Sequence, residues 1–197
     1  MRSVLLIGLL TGLLTVGGCA SGLLPEPAPP PATFDFGPLP DAAPAALPLR
    51  VRLEAVTAPS WLDGLDIYYR RLDEQAGALR PYARNQWIAP APELLAQRLR
   101  HRLAQAAADA PPERTADLEI ELLSFEHVFT GPDDAYVLAR LRASLEGSDG
   151  GLLRREFEAR RPADASVRGA TQELPLAADE LIRDVVGWLR AVDIDRM

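Results

Sequence analysis

Residues 117–129 read DLEIELLSFEHVF, and the reading of this stretch decides the fold. Leu118, Ile120 and Leu122 alternate with Glu119 and Glu121, the two-residue period of a strand with one buried face. At Leu122-Leu123 the alternation slips by one and is carried on by Leu123 and Phe125, which predicts a β-bulge. TGPDD (130–134) turns the chain, and AYVLARLRASLEG (135–147) places Val137, Ala139, Leu141, Ala143 and Leu145 on one face. SDGG (148–151) turns it again, and LLRREFEARR (152–161) supplies a third strand. Three successive strands joined by short turns predict an antiparallel meander.

Upstream, LRVRLEAV (49–56) puts Leu49, Val51, Leu53 and Ala55 on one face and Arg50, Arg52 and Glu54 on the other, a half-buried strand. DIYYRR (66–71) is a second strand, and GALRPYARNQW (77–87) returns as a hairpin arm after a turn near residues 74–77. The period then changes. In PELLAQRLRHRLAQAAA (92–108), Leu95, Leu99, Leu103 and Ala106 recur at three and four residues behind an opening proline, which predicts an amphipathic helix. A second helix is expected from about Leu176 to Val192, with Leu181, Ile182, Val185, Val186, Leu189 and Val192 as its apolar stripe and Arg161–Pro175 as a linker. Strands gathered in one antiparallel sheet, with two amphipathic helices on one face, make an α+β domain of two layers.

The N-terminus follows different rules. After Met1-Arg2 the thirteen residues Val4–Val16 are apolar and glycine-diluted, too few to span a bilayer but suited to a secretory signal. Val16-Gly17-Gly18-Cys19 has the form of a bacterial lipobox: a branched apolar residue, two small residues, then the only cysteine of the chain. Cleavage before Cys19 removes residues 1–18 and leaves a thiol that takes a diacylglycerol and an amine that takes a further acyl chain. Two or more chains anchor a protein firmly where one does not. Ala20 and Ser21 follow the cysteine; the absence of aspartate at the second position favours sorting to the outer membrane. Residues 19–46 form a proline-rich tether, extended and semi-rigid, with a short edge strand expected at Thr33–Phe36. The domain proper is expected over 47–197.

Composition narrows the function. The formal charge of −7, carried by 21 cationic and 28 acidic side chains, makes nucleic acid a poor partner. All the cationic residues are arginine. With Cys19 acylated no thiol remains for a disulfide, so stability rests on the core, for which 48% hydrophobic residues suffice.

A search for chemistry returns little. His101 and His127 lack metal-ligand spacing to any partner. No nucleophile elbow, phosphate-cradling glycine loop or calcium loop is present. Asp133-Asp134 occupies a hairpin tip, where aspartate serves the turn. No catalytic residue, metal site or cofactor is expected beyond the acyl chains on Cys19. Trp61, Tyr68, Tyr69, Tyr82 and Trp87 cluster in the first half among Arg70, Arg71, Arg80 and Arg84. One reading is core and cross-strand packing. The other is a partner-binding surface, for which Tyr68, Tyr69, Arg84 and Trp87 are the candidates.

Taken in order, these segments carry a resemblance. ATFDFGPLP after the lipobox, the run APSWLDGLDIYYRRLDEQAGALRPYARNQWIAPAPELLAQRLRHRL, and the meander LEIELLSFEHVF, AYVLARLRASL and REFEA together resemble the ABC-type transport auxiliary lipoprotein family, which includes the paraquat-inducible lipoprotein C type. The resemblance covers about residues 32–192, and the paired tyrosines Tyr68-Tyr69 and the segment Arg84–Trp87 are its most specific points. It implies a non-catalytic lipoprotein on the periplasmic face of the outer membrane. It also implies partners: an inner-membrane ABC transporter and an MCE-domain protein whose tunnel carries lipid, docked at the outer-membrane lipid, with a homo-oligomeric ring as one form of the docking. An alternative is a structural or assembly lipoprotein that holds an outer-membrane protein complex. A hydrolase with a dispersed site is the third class, and no convergent set of polar residues supports it.

Overall fold

A computed structural model describes residues 29–39, 46–148 and 150–192. The leader, Cys19 and most of the tether lie outside the described residues. The compact unit that carries the fold begins at Pro31.

Seven strands form one sheet: β1 Ala32–Phe34, β2 Arg50–Thr57, β3 Asp66–Arg71, β4 Leu79–Trp87, β5 Thr115–Phe129, β6 Ala135–Gly147 and β7 Leu152–Ala163. Helix α1 (Ala91–Ala106) joins β4 to β5, and helix α2 (Val167–Ala191) follows β7. The order across the sheet is β1-β4-β3-β5-β6-β7, with β2 lying alongside β5. The expected α+β class is what is found. The sheet is mostly antiparallel, as the meander requires, and the register of β5 shifts between Leu122 and Ser124, where the slipped alternation predicts the bulge. Three pairings are parallel instead: β1 with β4, β2 with β5, and β3 with β5. Antiparallel hairpins are written in short turns, whereas these parallel pairs join segments far apart in sequence and leave no local signal.

One edge of β5 is shared by two strands in succession. β2 covers Thr115–Glu121 and β3 covers Glu126–Phe129. Between them the chain makes a 3-10 turn at Ser60–Leu62, which drops Leu62 into the core.

The core lies between the helices and one face of the sheet. Val137, Ala139, Leu141, Ala143 and Leu145 of β6 are each at most 1% exposed. Leu95, Leu99 and Leu103 of α1 and Leu181, Val185 and Leu189 of α2 meet them as the helical spacing predicts. Full burial of each such side chain contributes about 1.5–3 kcal/mol. The opposite face of the sheet carries an arginine–carboxylate lattice, in which Arg142 bridges Glu121 and Glu156 at 2.7 Å each.

Several boundaries differ from expectation by a residue or two, as in α1, which spans Ala91–Ala106 rather than 92–108, and two differences bear on the fold. The edge strand is Ala32–Phe34, one residue earlier at its start and two earlier at its end. Helix α2 starts at Val167, not near Leu176, so the expected linker is mostly helix. Ser166 caps it by accepting from the Gly169 amide, and Gly169 lets the turn approach Asp164, whose carbonyl oxygen would lie 2.2 Å from an added Cβ. Pro175 reads as a helix stop but sits buried inside the helix, where packing offsets the backbone hydrogen bond its ring removes.

Candidate docking surface and tether clamp

Tyr68 and Tyr69 are neighbours in β3, so their side chains leave opposite faces of the sheet. Tyr68 stands edge-on to Trp61 at 5.4 Å, and its hydroxyl donates to Asp66 Oδ2 at 3.2 Å. Burial first, and then Asp66, raises the Tyr68 phenol above its ordinary pKa. Tyr69 lies on the helix side, 4.8 Å from the Tyr82 ring and 5.8 Å from Phe129. Both tyrosines are half-buried.

Arg84 reaches the surface through an irregularity in β4. Asp66 pairs with Gln86 but Tyr68 pairs with Pro81, so β4 bulges between them. That bulge also lets Tyr82 and Trp87, five residues apart, face the same side of the sheet. Arg84 sits on the bulge, exposed, with no ion pair among the described residues. Arg70 and Arg71 are tied locally instead, Arg70 to Glu126 at 3.0 Å and Arg71 to Asp73 at 2.8 Å.

Trp87 is corrected from surface candidate to core. It is 1% exposed, with Phe36 edge-on at 5.3 Å and Phe125 at 6.0 Å. Its large apolar area closes the sheet beneath the tether and offers nothing to a partner. The structure does not gather the four partner-binding candidates: Tyr69 pairs with Arg80 near the β3–β4 turn, Arg84 lies on the bulge further along β4, Tyr68 faces the other side of the sheet from Tyr69, and Trp87 is internal.

The most ordered polar arrangement was not read from the sequence. Arg98 of α1 is 4% exposed. Its Nη1 donates to both carboxylate oxygens of Asp179 on α2 at 2.7 Å. Its Nη2 donates to the backbone carbonyls of Phe36, Gly37 and Pro38. One guanidinium thereby fastens both helices and the segment that leaves β1, which the sequence reading assigns to the tether. Gly37, at φ +72°, turns that stretch so its carbonyls converge on the arginine. The available signal was position: Arg98 falls on the stripe formed by Leu94, Leu95 and Leu99, where an arginine must be buried.

His127 is wholly buried. Its Nδ1 shares a 2.7 Å hydrogen bond with the Tyr82 hydroxyl, and its Nε2 has no partner. Burial lowers the imidazole to about 4 and raises the Tyr82 phenol above its ordinary range. His101 is exposed and meets Gln105 at 2.9 Å. Among the described residues no three histidine, cysteine or acidic side chains gather as a metal site, and no helix is long and apolar enough to cross a membrane. The lipidation candidate Cys19 lies outside the described residues.

The model of the family described as ABC-type transport auxiliary lipoprotein component matches residues 34–186, and the chain belongs to that family. A crystal structure of a protein from Xanthomonas campestris is similar at 20% identity and TM-score 0.64, covering 83% of this chain and 92% of that one. A second crystal structure, of a protein described as uncharacterized, is similar at 17% identity and TM-score 0.54, covering 80% of this chain and 99% of that one. These likenesses are of fold. Among curated proteins none matches the chain.

Proposed function

We propose that this auxiliary lipoprotein of ABC-type transport is held on the periplasmic face of the outer membrane by acyl chains on Cys19. There it docks the far end of a lipid-carrying tunnel built by an MCE-domain protein that works with an inner-membrane ABC transporter. The observation that carries the reading is the family match over residues 34–186, which makes the chain an auxiliary lipoprotein component. Three features support the finer statement. The lipobox at Val16–Cys19 supplies an anchor without a spanning helix. The residues 22–31 ahead of β1, five of them proline, suit a stiff spacer. The β3–β4 pair, with half-buried Tyr69 and exposed Arg84, supplies side chains of the kind enriched at interfaces.

The chain's part in transport is binding rather than catalysis. The family's description as an auxiliary transport component supports this reading, and Arg98 is engaged structurally, by Asp179 and by the carbonyls after β1. Sucrose-density separation of inner and outer membranes tests the anchor. The full chain is expected with the outer membrane, and Cys19→Ala is expected in the soluble periplasm. A Cys19→Ala chain that stays in the same membrane fraction would remove the anchor from the account. Binding of the purified chain to the purified MCE-domain protein tests the docking, and its absence would remove that role.

A further inference from the structure

Strand β2 pairs with β5 on one side only. The Arg50 amide donates to the Arg114 carbonyl at 2.8 Å, so Arg50 points its backbone polar groups toward β5. Along a strand these groups alternate sides, so Val51 and Leu53 point theirs away from β5, to the free edge. Two N–H and two C=O groups therefore stand on an edge that no strand among the described residues covers.

That edge opens on a groove of about 430 Å³ between β2 and the end of α1. Its apolar lining comes from Val51, Leu53, Leu103, Ala104 and Ala107. Arg50 and Arg100 stand at its rim, and no acidic side chain lines it. Arg50 is held there by donating to the Ala110 carbonyl at 3.3 Å. Neither arginine has an ion pair among the described residues, in a chain with 28 acidic side chains against 21 cationic ones. The other long free edge contrasts with it. β7 reads LLRREFEARRPA, a charged and proline-ended strand of the kind that resists pairing.

We infer that the β2 edge and its groove form a strand-docking site for an extended segment of a partner polypeptide. The segment would pair its backbone with Val51 and Leu53, set alternate apolar side chains into the groove, and present a carboxylate to Arg50 and Arg100. This is strand addition to an exposed edge, in which backbone hydrogen bonds give affinity and side-chain pockets give selectivity. The inference rests on the edge geometry and is independent of the transport role proposed above.

A random peptide library displayed on phage, selected against the immobilised full chain, tests it. Val51→Pro removes a donor from the free edge but none from the β5 ladder. The wild-type chain is expected to enrich peptides with alternating apolar positions and at least one acidic residue. A synthesised winner is expected to slow hydrogen exchange at the Val51 and Leu53 amides, and to bind Val51→Pro and the Arg50→Glu, Arg100→Glu double variant tenfold or more weakly. The double variant leaves the backbone intact, so a folding defect in Val51→Pro does not blunt the test. No enrichment, equal binding to both variants, or protection elsewhere on the domain would overturn the site. So would self-association of the chain through β2 in place of peptide binding, which would make the occupant a second copy.

Discussion

Arg98 and Asp179 meet between the two helices, with Arg98 Nη1 2.7 Å from each carboxylate oxygen. Because the same guanidinium also holds the carbonyls of Phe36, Gly37 and Pro38, the pair couples helix packing to the attachment of the tether. In the proposed role the domain must present its binding surface in a defined direction, which a segment that swivels freely would not allow. The clamp holds the segment that follows β1, the first strand of the fold, against both helices.

Removing one partner should therefore destabilise strongly. The side chains of Arg98 and Asp179 are 5% and 15% exposed, so Arg98→Ala leaves a largely desolvated carboxylate and three carbonyls without their donor. The expected cost is about 3–5 kcal/mol. Limited proteolysis should cut near residues 35–39 in this variant and not in the wild type. Replacing both partners, as Arg98→Met with Asp179→Leu, should recover part of the melting temperature while leaving the tether cleavable. Those two readouts separate helix packing from tether attachment.

Trp87 and Arg84 should behave oppositely. Trp87→Ala empties a site bounded by Phe36 and Phe125 and should cost about 3–5 kcal/mol by thermal or urea unfolding. Arg84→Glu alters an exposed bulge residue and should leave stability within about 0.5 kcal/mol. If the exposed bulge of β4 belongs to the docking surface, Arg84→Glu should reduce capture of the partner with the melting temperature unchanged.

His127 should make the fold weaken in acid. Its folded pKa is about 4, below the ordinary value of 6.5, so the unfolded chain binds a proton more readily than the folded one. The neutral ring's contribution is fully present above about pH 6.5 and is lost as the pH falls toward 4. Between pH 7 and pH 5 the loss is on the order of 2 kcal/mol. Urea unfolding at the two pH values measures it. His127→Gln should remove most of the difference, since glutamine does not titrate. An equal pH dependence in wild type and variant would contradict the buried, neutral histidine.

Much of this fold is local, and the local part is legible. The slip at Leu122-Leu123 announces the bulge, the alternation through Val137–Leu145 announces the buried face of β6, and the stripe Leu95, Leu99, Leu103 announces α1. The parallel pairing of β2 with β5 is set by contacts some sixty residues apart, for which alternation carries no direction. Pro175 hid the first turns of α2, because a proline's cost to a helix is visible in sequence and the core packing that offsets it is not. The docking candidates show the same limit. Tyr68-Tyr69 reads as one feature, but the strand period sends the rings to opposite faces, and Trp87 has the composition of an interface residue with the burial of a core one. Arg98 could be placed on an apolar stripe from sequence, whereas its partners come from a second helix and from the tether.

The most direct test of the account is affinity capture of the tagged full-length chain from its native envelope, followed by mass spectrometry of what comes with it. The account predicts co-purification of an MCE-domain protein and its inner-membrane ABC transporter, reduced in the Cys19→Ala chain because the anchor places the domain. Recovery of an outer-membrane barrel complex, with neither the MCE-domain protein nor the transporter, would contradict it.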